Sequence, residues 1–355
     1  MGFPETITWN LSNPRDYSFN PHLIKNGIVK NGIIYGINGS GKTSLGRAVF
    51  DIVTLANYKE SYRNVIYAGN PHSTIDFSYS FQFDDCGEVD YSYSKTIEGT
   101  IVKELLTYNG KEVLSRDGGK IDFSDEFPID RGRKEQLASS PNSVSLVKFL
   151  YASIPLEENH PIVRLIHFSE SMLWFRCLDQ TNFIGIDDGV VFLHEYIIKK
   201  GYLKEYEDFL FKESGQKFDL SPTPSEGKII FCKINGEVVP LDAIKSTGTR
   251  SLELLFYWIK RMKENSVKFV FIDEFDAFYH FELSIKVCQL LFAEDFQVFL
   301  SSHNTLLLQN DFLRPDCAFY LRQNRINPLS ELTDRGELRE GHNIEKMFRA
   351  GAFDK

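Results

Sequence analysis

No apolar run in this sequence is long enough to cross a bilayer. The longest runs, such as residues 269–272, fall far short of the roughly 20 apolar residues that a membrane-spanning helix needs. The first ten residues, MGFPETITWN, contain no basic segment followed by an apolar stretch, so we expect no signal peptide. Both absences argue against a membrane protein and predict a cytoplasmic one.

Paired cysteines are also missing. The five cysteines are scattered and include no CxxC pair: Cys86, Cys177, Cys232, Cys288 and Cys317. An odd, scattered set does not indicate a disulfide framework. It is typical of free thiols in a reducing cytoplasm, and we expect most of them to be buried.

The sequence also lacks an excess of positive charge. Lys and Arg number 40 against 49 Asp and Glu, which gives a formal net charge of −9. Proteins that coat nucleic acid without sequence preference are usually basic, so this balance argues against that class. It does not exclude a local basic patch. Long coiled-coil arms are excluded as well, because no heptad pattern persists across residues 133–213.

Strand and helix patterns alternate at both ends of the chain. An apolar strand at 32–35 precedes a helix at 41–55. Further along, predicted strands at 228–233, 267–272 and 297–301 alternate with predicted helices at 249–263 and 278–292. Such alternation implies a mostly parallel sheet with helices on its faces. Between the two parts, residues 73–114 alternate polar and apolar as in an antiparallel β-meander. Residues 144–154, 162–177 and 190–211 carry apolar residues at helical spacing, and residues 214–226, rich in Pro and Ser, predict a linker.

These changes of pattern predict five segments. They are the N-terminal half of an α/β core, a β-meander, a helical insertion, the C-terminal half of the core and a tail: 1–71, 72–132, 133–225, 226–330 and 331–355. The interruption of the core contains aromatic residues that are more typical of a core than of an interface. Examples are Tyr91, Tyr93, Trp174, Phe175, Tyr196, Tyr202 and Tyr206.

A glycine-rich loop follows the first apolar strand. Residues 36–43 read GINGSGKT, which matches GxxxxGK[ST] at every fixed position. Glycines let consecutive backbone N–H groups turn inward around phosphates, and the helix that begins at Gly41 points its N-terminal dipole at them. Lys42 would reach the β- and γ-phosphates of ATP, and the Thr43 hydroxyl would bind Mg²⁺. We expect Lys42 to lie on a solvated loop. The predicted ATP-binding residues here are Gly36, Asn38, Gly39, Ser40, Gly41, Lys42, Thr43 and Ser44.

Two acids end a later apolar strand. Residues 267–274 read VKFVFIDE, and a buried parallel strand delivers its C-terminal residues to the ligand edge of a sheet. Asp273 would hold Mg²⁺, and Glu274 would orient or deprotonate the attacking water. An apolar strand followed by acids is also typical of a solvated strand end. Paired with the glycine-rich loop, it predicts a magnesium and water-activation site.

Two more segments carry polar residues at the ends of elements. Residues 300–303, LSSH, place His303 one strand after the acidic pair, where it would touch the γ-phosphate side. Residues 245–250, KSTGTR, precede a long helix and supply Ser246 and Gly248 at an N-terminus that would bind an anion. The alternative for this second segment is an ordinary helix N-cap.

The order of these elements resembles the ABC-class ATPases. STGTR resembles a degenerate ABC signature, in the shortened form of the abortive-infection and overcoming-lysogenisation (OLD) ATPases. Asp276 falls where that class has its D-loop, and His303 falls at its switch histidine. The closing stretches LREGHN and FRAGAF resemble the end of the RloA and AbiL type of AAA/ABC defence ATPase, near the ATPase subunit of PARIS-type antiphage systems. Gln82 is the Q-loop candidate by position, although glutamine in an alternating strand is more often a surface residue.

The resemblance implies an α/β fold. It would have a P-loop ABC-type ATPase core with a mixed, mostly parallel sheet, an antiparallel β-meander and a helical insertion. ATP and Mg²⁺ would be the cofactors, and Lys42, Glu274 and His303 the catalytic residues. ATP would lie between the phosphate loop of one subunit and the Ser246 and Gly248 of another. A complete site would therefore need a homodimer or a higher homo-oligomer.

Several functions fit that fold. The first is the sensor or regulatory subunit of a bacterial antiphage (abortive infection) system, responding to a phage-encoded trigger. Too few residues follow His303 for a TOPRIM nuclease domain, so the effector would be a separate protein, such as a TOPRIM-type nuclease. The second is a RecF- or SMC-like ATPase of DNA repair or maintenance, for which salt-dependent binding of duplex DNA would be diagnostic. A transporter's nucleotide-binding subunit fits less well, because the strict signature is absent.

Overall fold

The computed structural model describes residues 5–56, 74–84, 87–96, 98–124, 132, 135, 144–176, 183–184, 193–222, 228–277, 279–333 and 337–354. Contacts between Cα atoms divide the chain into two units. Unit 1 comprises Met1–Thr6 and Thr43–Met172, and unit 2 comprises Ile7–Lys42 and Leu173–Lys355. Each unit is described by itself.

The described strands and helices are numbered in chain order. The strands are β1 (Ile24–Lys25), β2 (Ile28–Val29), β3 (Asn31–Tyr35), β4 (Thr74–Phe83), β5 (Gly87–Thr96), β6 (Ile101–Tyr108), β7 (Lys111–Asp117), β8 (Lys120–Phe123), β9 (Met172–Arg176), β10 (Phe183–Ile184), β11 (Leu220–Pro222), β12 (Ile230–Ile234), β13 (Glu237–Pro240), β14 (Phe269–Asp273), β15 (Gln297–Ser302), β16 (Ala318–Arg322) and β17 (Arg325–Pro328). The helices are α1 (Lys42–Ala56), α2 (Leu146–Ser153), α3 (Pro161–Glu170), α4 (Leu193–Lys199), α5 (Leu203–Ser214), α6 (Leu241–Ile244), α7 (Thr247–Glu264), α8 (Phe281–Phe292) and α9 (Ile344–Arg349).

Unit 2 is built around a mixed sheet with the strand order β10-β9-β14-β15-β3-β16-β17. The strands β14, β15, β3 and β16 run parallel, while β10 and β17 pair antiparallel with β9 and β16. Every residue of β3 and β14 is buried. Continuous burial is what a parallel strand covered on both faces requires, and it explains the apolar runs NGIIY and FVFID. The predicted mixed, mostly parallel sheet is confirmed.

Three parallel strands of this sheet end at the same edge. Ser302 of β15 is in register with Tyr35 of β3, and Leu300 is in register with Ile272 of β14. The glycine-rich loop therefore follows β3 at the edge where Asp273 ends β14 and Ser302 ends β15. In open α/β sheets this carboxyl edge is where ligands bind.

Unit 1 contains the predicted antiparallel meander, in the order β4-β5-β6-β7-β8. On β5, the residues that alternate into the core are Val89, Tyr91, Tyr93 and Lys95, all at most 8% exposed. Lys95 pairs with the buried Asp51 of α1 at 2.6 Å, and the Tyr93 hydroxyl donates to the same carboxylate at 2.6 Å. The meander is therefore fixed to the helix that continues from the glycine-rich loop.

The helical segment differs from its prediction in two places. A helix was expected to run across 162–177, but α3 ends at Glu170 and the apolar residues MLWFR form β9 instead. A helix across 190–211 is divided into α4 and α5, because Gly201 takes a left-handed φ of 72° between them. Left-handed backbone is open to glycine and ends a right-handed helix. The expected linker at 214–226 contains β11.

Candidate functional site

The glycine-rich loop needs its glycines for two different reasons. A Cβ at Gly36 would lie 2.3 Å from Ser40 Oγ and 3.0 Å from the carbonyl oxygen of Leu321, so the chain passes too close for a side chain. Gly39 and Gly41 have φ values of 79° and 105°, which other residues rarely adopt. The Ser40 hydroxyl is buried and has no hydrogen-bond partner within the part of the chain that the structure describes. The loop is thus shaped to bring backbone N–H groups and a free hydroxyl to one ligand.

Lys42 is buried, with 4% of its surface exposed, so the expectation of a solvated lysine is wrong. The side chain folds back over its own loop, and Nζ donates to the carbonyl oxygens of Gly36 at 2.6 Å and Ile37 at 3.4 Å. Burial lowers the pKa of Lys42, while the nearby charges of Glu274 and Asp273 act in the opposite direction. The amine therefore lies beside the loop and within electrostatic reach of the acidic pair.

Ser301 holds both acids of the predicted pair. It is fully buried on β15, and its hydroxyl donates to Asp273 Oδ1 at 2.5 Å. The same hydroxyl accepts the backbone N–H of Glu274 at 2.9 Å. Sequence reasoning assigned no role to Ser301, because its partners lie 28 and 27 residues away along the chain and meet it through strand pairing. The only sequence signal is its place in LSSH at a strand end.

Glu274 occupies a left-handed backbone position, with φ of 51°. For a residue with a Cβ this conformation costs roughly 1–2 kcal/mol. The next residue, Phe275, is 1% exposed and donates its N–H to the carbonyl oxygen of Ser301 at 3.2 Å, which fixes the bend. The bend leaves the Glu274 side chain partly exposed at the carboxyl edge. Strain of this kind is concentrated at functional sites.

A second hydroxyl continues the network toward His303. Ser302 donates to Asp276 Oδ2 at 2.8 Å and accepts the N–H of Asn304 at 2.9 Å. Burial raises the pKa of Asp276, against the hydrogen bond from Ser302 and the charge of His303. His303 itself is exposed. The structure thus brings His303 and Asp276 to the same edge as Asp273 and Glu274.

The signature-like segment begins α7 as an N-cap. The Ser246 hydroxyl accepts the backbone N–H of Thr249 at 3.1 Å, and Ser246 is exposed. Among the described residues, a Cβ at Gly248 would meet only Ser246 Oγ, at 3.7 Å, so those residues leave the space above Gly248 open. Thr249 is buried and donates from its hydroxyl to the side-chain oxygen of Gln216 at 2.8 Å. Ser246 and Gly248 therefore present an open helix N-terminus at the surface of unit 2.

The remaining predicted residues are placed as follows. Asn38 is exposed at the tip of the loop. Thr43 and Ser44 lie in α1 and belong to unit 1, so the pairing of Thr43 with Asp273 at a magnesium ion stays a prediction. Gln82 is exposed on β4, as a surface residue would be, and its Q-loop role stays a prediction too.

The described residues contain no group of three or more His, Cys, Asp or Glu that could hold a metal ion unaided. Mg²⁺ is commonly bound by one or two carboxylates together with substrate phosphates, and Asp273 suits that arrangement. Cys232, Cys288 and Cys317 are free and buried, as expected, whereas Cys86 and Cys177 lie outside the described residues. No described helix is both long and apolar enough to cross a membrane.

A family model described as “AAA domain, putative AbiEii toxin, Type IV TA system” matches residues 33–309. This stretch includes the glycine-rich loop, the acidic pair and His303. The segments that resemble the ends of RloA and AbiL proteins lie beyond it, and the match does not test the resemblance to OLD and PARIS systems.

Solved structures that show some similarity to the chain include two SMC head domains and a RecF protein. The SMC head domain from Thermotoga maritima is 15% identical, with a TM-score of 0.43 over 84% of this chain and 90% of that one. An SMC head domain with a coiled coil and joint from Pyrococcus yayanosii is 12% identical, with a TM-score of 0.43 over 91% and 96%. The recombination mediator RecF of the RecFOR pathway is 16% identical, with a TM-score of 0.37 over 88% and 95%. No curated protein matches the chain in sequence.

Proposed function

The chain belongs to the AAA domain family of P-loop ATPases, and from that membership we propose that it binds and hydrolyses ATP to control a separate effector in a bacterial antiphage system. The observation that carries the enzymatic part is the buried Lys42, held over the glycine-rich loop within reach of Glu274 and Asp273. Buried lysine amines are costly unless they serve a partner of opposite charge. Phosphate oxygens are such a partner.

The loop residues fit a triphosphate. The backbone N–H groups of the loop and the N-terminus of α1 would bind the phosphates, with the Ser40 hydroxyl as a further donor. Lys42 would exchange the carbonyl oxygens of Gly36 and Ile37 for phosphate oxygens. Thr43 and Asp273 would hold a magnesium ion, which would neutralise phosphate charge there.

The acidic edge fits the activation of water. Glu274 is the group to orient or deprotonate a water molecule, because its side chain is partly exposed while its backbone is fixed by Ser301. Ser301 also holds Asp273, so one hydroxyl sets the positions of both acids. His303 and Asp276 would line the γ-phosphate side. Asp276 accepts a hydrogen bond from Ser302, the residue directly before His303.

Ser246 and Gly248 would act on ATP held by another copy of the chain. Each chain has one glycine-rich loop and one signature-like helix start, so a symmetric pair would form two composite sites. The open space above Gly248 and the exposed Ser246 favour approach from outside unit 2. ATP would then hold the pair together, and hydrolysis would release or reshape it.

Mixing two inactive variants tests this arrangement. Lys42→Ala removes the amine that meets phosphate, and Gly248→Arg fills the open space at the helix start. Each alone is expected to lose ATP turnover while remaining folded. In a mixed dimer one site carries both lesions and the other carries neither, so turnover should partly recover. No recovery, despite mixed dimers shown by tagged subunits, would count against composite sites. Normal turnover by folded Lys42→Ala would count against the loop as the ATP site.

The antiphage role rests on the family and on the resemblance in the sequence. The description of the family as a toxin of type IV toxin–antitoxin systems supports a place in bacterial conflict. We propose that the trigger is phage-encoded and that the effector is a nuclease carried by another chain.

A further inference from the structure

α7 contains a buried carboxylate about two turns beyond the signature-like segment. Glu253 is 1% exposed and is the centre of a polar cluster inside unit 2. Both of its carboxylate oxygens lie 2.9 Å from Lys245 Nζ. The Tyr206 hydroxyl donates to it at 2.8 Å, and His194 Nε2 lies 3.4 Å away.

Lys245 connects this carboxylate to the start of the helix. It directly precedes Ser246, the N-cap, and its side chain is only 6% exposed. It also forms an ion pair with Asp242 of α6. The Glu253–Lys245 pair therefore ties the first two turns of α7 back to the residue before the N-cap.

Tyr206 and His194 bring two more helices to the same carboxylate. Tyr206 lies on α5, and His194 lies on α4. His194 Nδ1 accepts the backbone N–H of Ile230 at 3.3 Å, so a neutral ring carries its proton on Nε2, the nitrogen facing Glu253. Burial alone would raise the pKa of Glu253, but the hydrogen bonds from His194 and Lys245 and the charge of Lys245 outweigh it and leave that pKa lowered. The carboxylate is thus charged, and both of its oxygens accept hydrogen bonds.

We propose that Glu253 is a positioning residue for the signature-like segment. By holding Lys245, it sets the orientation in which Ser246 and Gly248 meet the nucleotide of the second copy. Through Tyr206 and His194, that orientation depends on α4 and α5. A buried ion pair is in general a weak source of stability, because desolvation offsets its attraction, which leaves positioning as its contribution here. This inference rests on the proposed composite site.

Glu264 at the other end of α7 provides a matched control. It accepts the Tyr202 hydroxyl at 3.1 Å and pairs with Lys200 at 3.2 Å, so it too joins α7 to the segment that contains α4 and α5. It lies 18 residues after Ser246, which at 1.5 Å per residue places it roughly 27 Å from the N-cap. A glutamine there should disturb packing of the helices without disturbing Ser246.

The test uses Glu253→Gln, which keeps the size of the side chain and an acceptor for Tyr206 but removes the charge that holds Lys245. We expect turnover at saturating ATP to fall about 100-fold, the scale of a 1 Å misplacement, with ATP binding by the glycine-rich loop unchanged. Turnover by Glu264→Gln should stay within about twofold of the parent.

Mixed dimers then show which side of the composite site is defective. Glu253→Gln should regain turnover with Lys42→Ala and not with Gly248→Arg, because only the second mixture has a damaged signature at both sites.

Each other outcome overturns the proposal. Parental turnover, or recovery with Gly248→Arg instead of Lys42→Ala, would remove Glu253 from the signature side. Recovery with neither would indicate damage to the whole subunit. The double variant Lys245→Met/Glu253→Gln covers a failure to fold, since removing both buried charges together is often neutral for stability. It should fold, stay slow and show the same mixing pattern. If Lys42→Ala and Gly248→Arg fail to complement each other, the composite site itself is wrong, which separates that failure from a failure of Glu253.

Discussion

At the scale of single residues, Glu274 combines strain with the chemistry that we propose for it. Its φ of 51° belongs to a region that glutamate avoids, yet Ser301 and Phe275 hold the bend in place. A residue chosen for stability alone would be glycine or asparagine, which adopt this conformation more readily. Glutamate at this position therefore costs stability, and we expect its carboxylate to contribute to function instead.

Two substitutions at Glu274 separate the chemistry from the strain. Glu274→Gln retains shape and strain but loses the base, so hydrolysis should fall by about 10²–10⁴ while ATP binding and unfolding free energy stay unchanged. Glu274→Asn should lose hydrolysis equally and gain up to about 1 kcal/mol of stability. ATPase assays and urea unfolding of the three proteins measure both effects. Parental turnover by Glu274→Gln would show that another residue activates the water.

Single residues also show how far sequence reasoning extends. Gly36, Lys42 and Asp273 could be proposed as site residues because the pattern of a phosphate loop and of an acidic strand end lies in consecutive residues. Ser301 and Glu253 could not, since a serine in LSSH and a glutamate in a helix look ordinary until strand register and helix packing bring their partners together. The burial of Lys42 was missed for the same reason, because the fold of the loop around its own lysine is a tertiary feature.

At the scale of elements, a buried acid joins the meander to the helix that follows it in unit 1. Glu104 of β6 is 2% exposed and accepts the backbone N–H groups of Leu146 and Val147, at 2.9 and 3.2 Å, where α2 begins. The Tyr91 hydroxyl donates to it at 2.9 Å. A carboxylate at a helix N-terminus satisfies donors that have no partner within the helix. Burial nevertheless outweighs these contacts and raises the pKa of Glu104.

This raised pKa predicts how stability depends on pH. Between the ordinary pKa of 4.5 and the raised value, the folded state holds a proton that the unfolded state has lost. The unfolding free energy should therefore fall as pH rises through that window, by at most about 1.4 kcal/mol per pH unit. Glu104→Gln should be less stable by about 1–3 kcal/mol, because it offers one acceptor oxygen to two N–H groups, and its profile should be flatter. Urea unfolding followed by circular dichroism measures both.

The exposed Glu112 on β7 is the control for that comparison. Glu112→Gln makes the same replacement at an exposed position and should leave the unfolding free energy within about 0.5 kcal/mol of the parent. An identical slope in Glu104→Gln and the parent would mean that Glu104 titrates alike in folded and unfolded chains, contrary to the raised pKa.

Elements with a strong local period were predicted well. The predicted helix at 41–55 is α1, and the predicted strands at 267–272 and 297–301 are β14 and β15, with no end shifted by more than two residues. The strand β9 was assigned to a helix, because a short apolar run has no period of its own and its place in the sheet decides its structure. The strand order of the sheet depends on long-range pairing and could not be predicted.

At the scale of the whole molecule, the aromatic residues of the interruption bear on how it would meet a partner. As expected for core residues, Tyr91, Tyr93, Trp174, Phe175 and Tyr206 are at most 8% exposed. Tyr196 and Tyr202 are only partly exposed. Those five buried rings are therefore closed to a partner, whereas Tyr196 and Tyr202 keep part of their surface accessible.

The division of labour between this chain and an effector is the broadest prediction. ATP-bound pairs should accumulate in Glu274→Gln and should not form in Lys42→Ala, so the two variants sample opposite ends of the proposed cycle. Co-expressed with its neighbouring genes and affinity-purified with ATP and Mg²⁺, Glu274→Gln should differ from Lys42→Ala in how much of a nuclease partner it retains. The purified chain alone should not cut DNA under the same conditions. Equal retention of the partner by both variants would show that partner binding does not depend on the nucleotide. DNA cleavage by the chain alone, or phage protection by its gene without a companion, would assign the effector activity to this chain and overturn the proposed control of a second protein.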